Sequence, residues 1–80
     1  MRESILHRLR PIIHEIFKDP TIVVTEELTM NDVPAWDSIG HIALITATEK
    51  AFNIQCSLSE LVNVESVGAL AILVEKKLSI

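Results

Sequence analysis

The sequence has little of several residue types, and each shortage excludes a class of protein. It contains no tyrosine, one tryptophan and two phenylalanines, while 49% of its residues are hydrophobic, so its core must be mainly aliphatic. Cys56 is the single cysteine, which excludes an intramolecular disulfide and a thiolate-rich zinc site and fits a reducing compartment. We interpret Cys56 as a small residue in the core or at its boundary.

The sequence also lacks an excess of basic residues and a long apolar run. Its net charge of −4 gives no electrostatic footprint for nucleic acid or anionic membranes, although it suits a partner with a basic surface. The longest apolar run, residues 67–74, is too short to span a membrane, and the charged first residues do not resemble a signal peptide. We therefore expect a cytoplasmic protein with no nucleic-acid or membrane partner, folded as a single domain over residues 1–80.

The first predicted element is an amphipathic helix from Glu3 to Phe17. Its apolar residues recur at spacings of three and four, namely Ile5, Leu6, Leu9, Ile12, Ile13, Ile16 and Phe17. Pro11 interrupts the helix, because its ring removes a backbone hydrogen bond and clashes with the preceding turn. We expect a kink at Pro11, and the alternative is a helix that begins there.

A long polar segment, residues 18–37, separates this helix from the next. Its β-branched run, residues 21–25, has no partner strand elsewhere in the chain, which favours an extended loop over a strand. Three apolar residues of the loop are expected to pack on the helices: Ile22, Val24 and Leu28. Trp36, near the end of the loop, is expected to anchor it to the bundle.

The junction between this loop and the second helix holds the main candidate site. Asp37 has the side chain of a good N-cap, because its carboxylate can accept hydrogen bonds from the free N–H groups of the first turn. Ser38 is then the first helical residue, and its hydroxyl lies at the positive end of the helix dipole. A phosphate ester there is favoured by roughly 0.3–1 kcal/mol. A serine beside an aspartate is also a common cap, so this pair alone does not establish a function.

Two further helices are predicted after the second. Ser57 and Glu60 have the spacing of a capping box, which predicts a short helix from about Leu58 to Asn63 or Val64. Ser66 can cap the last helix, in which one apolar stripe is expected to contain Val67, Leu70, Ala71, Val74 and Leu78.

The stretch around Asp37-Ser38-Ile39 resembles the acyl carrier protein family. In that family an Asp-Ser-Leu or Asp-Ser-Ile triplet begins the second helix, and the serine carries a 4′-phosphopantetheine arm. The similarity continues through Trp36 before the triplet, through His41-Ile42 after it, and along residues 44–54. With one helix upstream and two downstream, it covers nearly the whole chain. It implies an all-α, small four-helix bundle with a long first loop and a short third helix.

The resemblance also implies a function and a set of partners. A phosphopantetheinyl transferase would move the arm from coenzyme A onto Ser38, while Asp37 helps the transferase and its magnesium recognise the site. The thiol of the arm would carry acyl groups as thioesters to acyl-loading and acyl-transferring enzymes, and the chain itself is expected to be a monomer. Two alternatives stay open: an aminoacyl or peptidyl carrier protein, and a helical protein-interaction module with an unmodified Ser38.

The second helix is predicted to have a core side and a solvent side. At about 100° per residue, one side contains His41, Leu44, Ile45, Thr48 and Phe52. Thr48 stands where the family usually has a larger apolar residue, and its hydroxyl can bond back to the preceding turn. The solvent side is expected to bind partners through Ile39, Ile42, Thr46 and Glu49. Apolar contact should dominate there, because the charge of Glu49 is offset by Lys50.

His41 also raises the alternative of a hydrolase triad with Ser38 and Asp37. Adjacent Asp37 and Ser38 point in different directions, and no oxyanion site is suggested, so the sequence does not favour this reading. His7, His14 and His41 lack the spacing of metal ligands. We therefore expect neither catalysis nor a metal site.

Overall fold

The computed structural model describes residues 2–78, and within this range it contains four α-helices and no β-strand. In chain order the helices are α1 (Arg2–Phe17), α2 (Ser38–Phe52), α3 (Leu58–Asn63) and α4 (Val67–Leu78). A short 3₁₀ helix, Met30–Asp32, lies in the loop between α1 and α2 and was not expected from the sequence pattern. The prediction of an all-α bundle with a long first loop and a short third helix is confirmed.

Helix α1 packs against both α2 and α4. Its buried residues all belong to the predicted apolar stripe: Ile5, Leu6, Leu9, Ile13 and Phe17. The helix continues through Pro11, which lies on the exposed face, so the alternative in which the helix begins at Pro11 is wrong. The kink at Pro11 stays a prediction.

The long loop is fixed to the bundle by apolar and backbone contacts. The three residues expected to pack on the helices do so: Ile22, Val24 and Leu28. The carbonyl oxygens of Glu26 and Leu28 accept hydrogen bonds from the backbone N–H groups of Gly68 and Val67, each over 2.9 Å. Because the first N–H groups of a helix have no partner inside it, the loop supplies the acceptors that the start of α4 needs.

The starts of α3 and α4 have the caps that the sequence predicts. The Ser57 hydroxyl accepts from the Glu60 N–H over 3.1 Å, and the Glu60 carboxylate accepts from the Ser57 N–H over 2.8 Å. This reciprocal pair is a capping box. At the start of α4, the Ser66 hydroxyl accepts from the Ala69 N–H over 3.1 Å.

Helix α4 buries most of its predicted stripe, with one exception. Val67, Leu70, Ala71 and Val74 are buried, whereas Leu78 is 39% exposed. Leu78 is the last residue of α4, so the stripe that the sequence predicts is buried only as far as Val74. Among residues 2–78, no helix combines the length and apolarity needed to cross a bilayer.

Candidate functional site

Ser38 is the first residue of α2 and is exposed to solvent, as predicted. Asp37 is the N-cap, and its Oδ1 accepts a hydrogen bond from the Gly40 N–H over 2.8 Å. The Asp37 carbonyl oxygen accepts from the His41 N–H, also over 2.8 Å. These two bonds fix the turn that holds Ser38. The backbone N–H groups of Ser38 and Ile39 have no acceptor inside the helix, so they can face an anion.

Gly40 lets the end of the long loop lie directly against this turn. A Cβ atom at position 40 would overlap the carbonyl oxygen of Ala35 and would lie 3.1 Å from Cε1 of Phe17. The Ala35 oxygen is backbone, so it cannot move aside as the end of a flexible side chain can. The absence of a side chain at Gly40 therefore determines how closely the loop approaches Ser38.

Trp36 and His41 form a buried pair beneath the Ser38 turn. Trp36 is 2% exposed, and its Nε1–H donates to Nδ1 of His41 over 2.9 Å. The two rings stack with their centroids 6.1 Å apart, and Trp36 also packs on Phe17 with a centroid distance of 5.9 Å. Trp36 is therefore the anchor of the loop that the sequence predicts.

The second ring nitrogen of His41 contacts α3. Nε2 lies 2.8 Å from the carbonyl oxygen of Leu61. Because the indole N–H of Trp36 can only donate, Nδ1 of His41 is the acceptor, and Nε2 carries the proton that is donated to Leu61. Both ring nitrogens are thus occupied, and neither is free to act as a base toward Ser38. The geometry gives no support to the hydrolase alternative.

A groove of about 650 Å³ lies beside Ser38, between α2, α3 and the long loop. Its lining is mainly apolar and includes Met30, Ile42, Leu61, Val62 and Val64. Sequence patterns do not reveal this groove, because its walls come from the long loop, α2 and the region of α3, which only the fold brings together. The groove gives a group attached to Ser38 an apolar surface to lie against.

Helix α2 has the two sides that its periodicity predicts. All five residues assigned to the core side are buried: His41, Leu44, Ile45, Thr48 and Phe52. The Thr48 hydroxyl donates to the Leu44 carbonyl oxygen over 2.8 Å, which is the predicted back-bond. On the other side Ile39 is 79% exposed, Ile42 is 55% exposed, and Thr46 is exposed as well.

Glu49 differs from the other residues on the solvent side of α2. It is half-buried, and its Oε2 accepts a hydrogen bond from the Cys56 N–H over 2.8 Å. The expectation that it faces solvent holds only in part, because its carboxylate satisfies the backbone after α2. Cys56 is itself half-buried at the boundary of the core, as interpreted. Burial raises the pKa of the Cys56 thiol, and the negative charges of Glu49 and Glu60 raise it further.

The fold and the site together define a class, small helical proteins that present an exposed serine at the start of the second helix. The structure is similar to the solution NMR structure of the holo acyl carrier protein from Geobacter metallireducens, with a TM-score of 0.86 and 44% sequence identity. The match covers 92% of this chain and 85% of that chain. This chain belongs to the acyl carrier protein family, and the resemblance seen in its sequence is confirmed. No family model and no curated protein matches the chain.

Proposed function

We propose that this chain carries acyl groups as thioesters on a 4′-phosphopantetheine arm attached to Ser38. The observation that carries this proposal is the exposed Ser38 on a capped first turn, where the N–H groups of Ser38 and Ile39 have no acceptor inside the helix. The holo neighbour supports the same function and does not favour the unmodified interaction module. Its description as an acyl carrier also favours an acyl cargo over an aminoacyl one.

Attachment of the arm requires coenzyme A and a partner enzyme, a phosphopantetheinyl transferase. The Ser38 oxygen forms a bond to the phosphorus that bears pantetheine, and the phosphorus–oxygen bond within the diphosphate breaks. Adenosine bisphosphate leaves, and the serine proton passes to a base. Asp37 directly precedes Ser38 in the chain, and we infer that its charge helps the transferase and its magnesium recognise the turn.

The chemistry of the cargo then belongs to the partner enzymes, which load and unload the thiol of the arm. His41 has both ring nitrogens in hydrogen bonds, which supports the inference that the chain itself is not an enzyme. We also infer that the protein acts as a monomer in the cytoplasm, and the unpaired Cys56 fits a reducing compartment.

The partner enzymes are proposed to bind the side of α2 that flanks Ser38, through Ile39, Ile42, Thr46 and Glu49. Burying one exposed isoleucine contributes about 1.5–3 kcal/mol, whereas an exposed ion pair contributes about 0–1 kcal/mol. Ile39 and Ile42 are the most exposed apolar residues on this side, and the charge of Glu49 is adjacent to that of Lys50. Apolar contact therefore supplies most of the binding free energy in this proposal.

Mass spectrometry tests the attachment directly. We expect incubation with a promiscuous transferase, magnesium and coenzyme A to add the mass of one phosphopantetheine unit, and Ser38→Ala to remove this gain. Ser59→Ala is the matched control, because Ser59 is an exposed serine of α3 and should leave the gain intact. If several transferases leave the native mass unchanged, Ser38 is not modified and the interaction module becomes the better explanation.

Asp37→Asn tests the inferred role of Asp37 in the same assay. Asparagine is about as good an N-cap as aspartate, so the turn should be retained while the charge is lost. We expect slower loading of Asp37→Asn with an unchanged circular dichroism spectrum. Loading at the native rate would show that Asp37 acts only as a cap.

A further inference from the structure

Helix α3 is a short helix at the surface of the bundle. None of its residues is buried, although Leu61 packs partly against the core. Glu60 pairs with Lys77 of α4 over 2.9 Å, but both side chains are about one third exposed, at 34% and 30%. Ion pairs this exposed hold an element weakly. The hydrogen bond from buried His41 to the Leu61 carbonyl oxygen joins α3 directly to α2, while Val64, the C-cap of α3, is buried in the core.

His41 makes this connection from the turn that contains Ser38. Trp36 precedes Ser38 by two residues, and His41 follows it by three. The 2.9 Å hydrogen bond between their side chains therefore joins the two sides of the turn that contains Ser38. The Leu61 oxygen also accepts a longer bond, 3.3 Å, from the Val64 N–H. It lies near the C-terminal end of α3, where carbonyl groups lack partners inside the helix. His41 thus adds a second and shorter hydrogen bond, 2.8 Å, to an oxygen near the end of α3.

We propose that His41 is a positioning residue that couples the Ser38 turn to α3 and so sets the width of the groove beside Ser38. Only the neutral ring with its proton on Nε2 can accept from Trp36 and donate to Leu61 at the same time. Leu61 and Val62 of α3 line the groove, so loss of the Nε2 donor frees that wall. The effect on modification of Ser38 rests on the function proposed above.

The tautomer of His41 is the first test and uses the native apo-protein. Long-range proton–nitrogen NMR spectra in mildly alkaline buffer should show a proton on Nε2 and none on Nδ1 of His41. His7 is exposed and provides the reference signal of a solvated ring. A proton on Nδ1 would break the bond from Trp36 and overturn the proposal, without requiring any variant to fold.

Two conservative variants separate the two hydrogen bonds of His41. In His41→Asn the side-chain oxygen can replace Nδ1 as the acceptor for Trp36, but the side chain is too short to reach Leu61. In His41→Gln the longer amide can still donate to Leu61. We expect amide hydrogen exchange in α3 to become about tenfold faster in His41→Asn and to stay within about twofold of native in His41→Gln.

Thr48→Val is the matched control for these variants. It removes another buried hydrogen bond of α2, from the Thr48 hydroxyl to the Leu44 carbonyl oxygen, and both partners of that bond belong to α2. We expect exchange in α3 to stay close to native in Thr48→Val. If the exchange rate in α3 rose equally in Thr48→Val and His41→Asn, His41 would contribute only to general stability. That result would overturn the proposal.

The consequence at Ser38 is measured by the kinetics of loading. We expect the KM of the transferase for His41→Asn to rise about tenfold, with kcat within about twofold of native, because the turn and groove are less ordered before binding. Faster exchange in α3 with an unchanged KM would show that the coupling does not reach Ser38. A native protein that no transferase modifies would contradict the proposed function instead, while the tautomer and exchange results would still decide the role of His41.

Discussion

At the scale of single residues, Gly40 is the clearest case in which a missing side chain sets the geometry of the site. A glycine in a helix interior usually costs about 1 kcal/mol relative to alanine, so Gly40→Ala would stabilise α2 if the turn stood alone. The added Cβ overlaps the Ala35 carbonyl oxygen, however, and the loop would have to move. We expect Gly40→Ala to lower the free energy of unfolding by about 1–3 kcal/mol, the usual cost of overpacking.

Denaturant unfolding followed by circular dichroism measures this change. Ser59→Ala is again the control, because it alters an exposed helical position and should change stability by less than about 0.5 kcal/mol. A Gly40→Ala protein more stable than native would show that the loop has room to yield at Ala35.

The sequence predicts those parts of the site whose interacting residues are close together along the chain. Asp37 and Ser38 are neighbours, and a cap is a local interaction, so their roles in the turn are predictable from their side chains alone. The bond from His41 to Leu61 joins positions 20 residues apart in the chain. No periodicity signals such a bond, because a buried histidine has the same spacing whether or not its ring meets a carbonyl group.

At the scale of the helices, the residues on the solvent side of α2 predict whether apolar contact or charge contributes more to the binding of partners. Ile42→Ala or Ile39→Ala should weaken the binding of a cognate partner more than Glu49→Gln does, with little loss of stability, since both isoleucines are exposed. Glu49→Gln is the appropriate charge variant, because glutamine can still accept the hydrogen bond from Cys56. Raising the salt concentration should change the affinity only modestly.

Titration calorimetry with a cognate partner enzyme at two salt concentrations measures these effects. Thr46→Ala is a suitable control on the same side of α2, because Thr46 is exposed and loses few apolar atoms on truncation. A steep salt dependence together with a dominant effect of Glu49→Gln would show that docking is electrostatic.

The α-helices were predictable from their apolar periodicity, which the loop between α1 and α2 does not have. Each helix has an apolar face with a regular spacing, so α1 and the core side of α2 follow from the 3.6-residue period. The 3₁₀ helix Met30–Asp32 has no such face, and none of its residues is buried. At the end of α4, Leu78 keeps the apolar spacing of the stripe but is exposed, so the spacing alone does not show how far the core extends.

At the scale of the whole molecule, the ionisable groups whose pKa values are shifted by folding predict how stability depends on pH. Hydrogen bonds from Thr21 hold the pKa of Asp19 below its ordinary value of 3.8, and a hydrogen bond from Lys77 holds the pKa of Glu60 below 4.5. In both cases the unfolded chain binds protons more readily than the folded one. Their contribution to stability is therefore complete above these ordinary values and is lost as the pH falls below them.

At alkaline pH the folded state binds protons more readily than the unfolded chain, and stability again falls as the pH moves away from neutral. The bond to Glu60 raises the pKa of Lys77 above 10.5, and burial raises the pKa of Cys56 above 9.0. The folded state then keeps protons that the unfolded chain releases, so stability falls as the pH rises past 9.0 and again past 10.5.

Thermal unfolding across the pH range checks both limbs. Glu60→Gln should flatten the acid limb, because glutamine can retain the cap of α3 but does not titrate. It should also weaken the second alkaline step, since Lys77 loses its charged partner. Identical pH profiles for the native protein and Glu60→Gln would show that this pair is too well solvated to contribute.

Cys56 bears on the chemical selectivity of the loaded protein. A chain that carries the arm has two thiols, and only the thiolate form reacts rapidly with electrophiles. Since burial and nearby carboxylates keep the Cys56 thiol protonated, a maleimide should label the arm first and Cys56 slowly, while the apo-protein should show only the slow phase. The low reactivity of the Cys56 thiol also disfavours its attack on a thioester of the arm. The cargo therefore stays on the arm although the chain has a cysteine of its own.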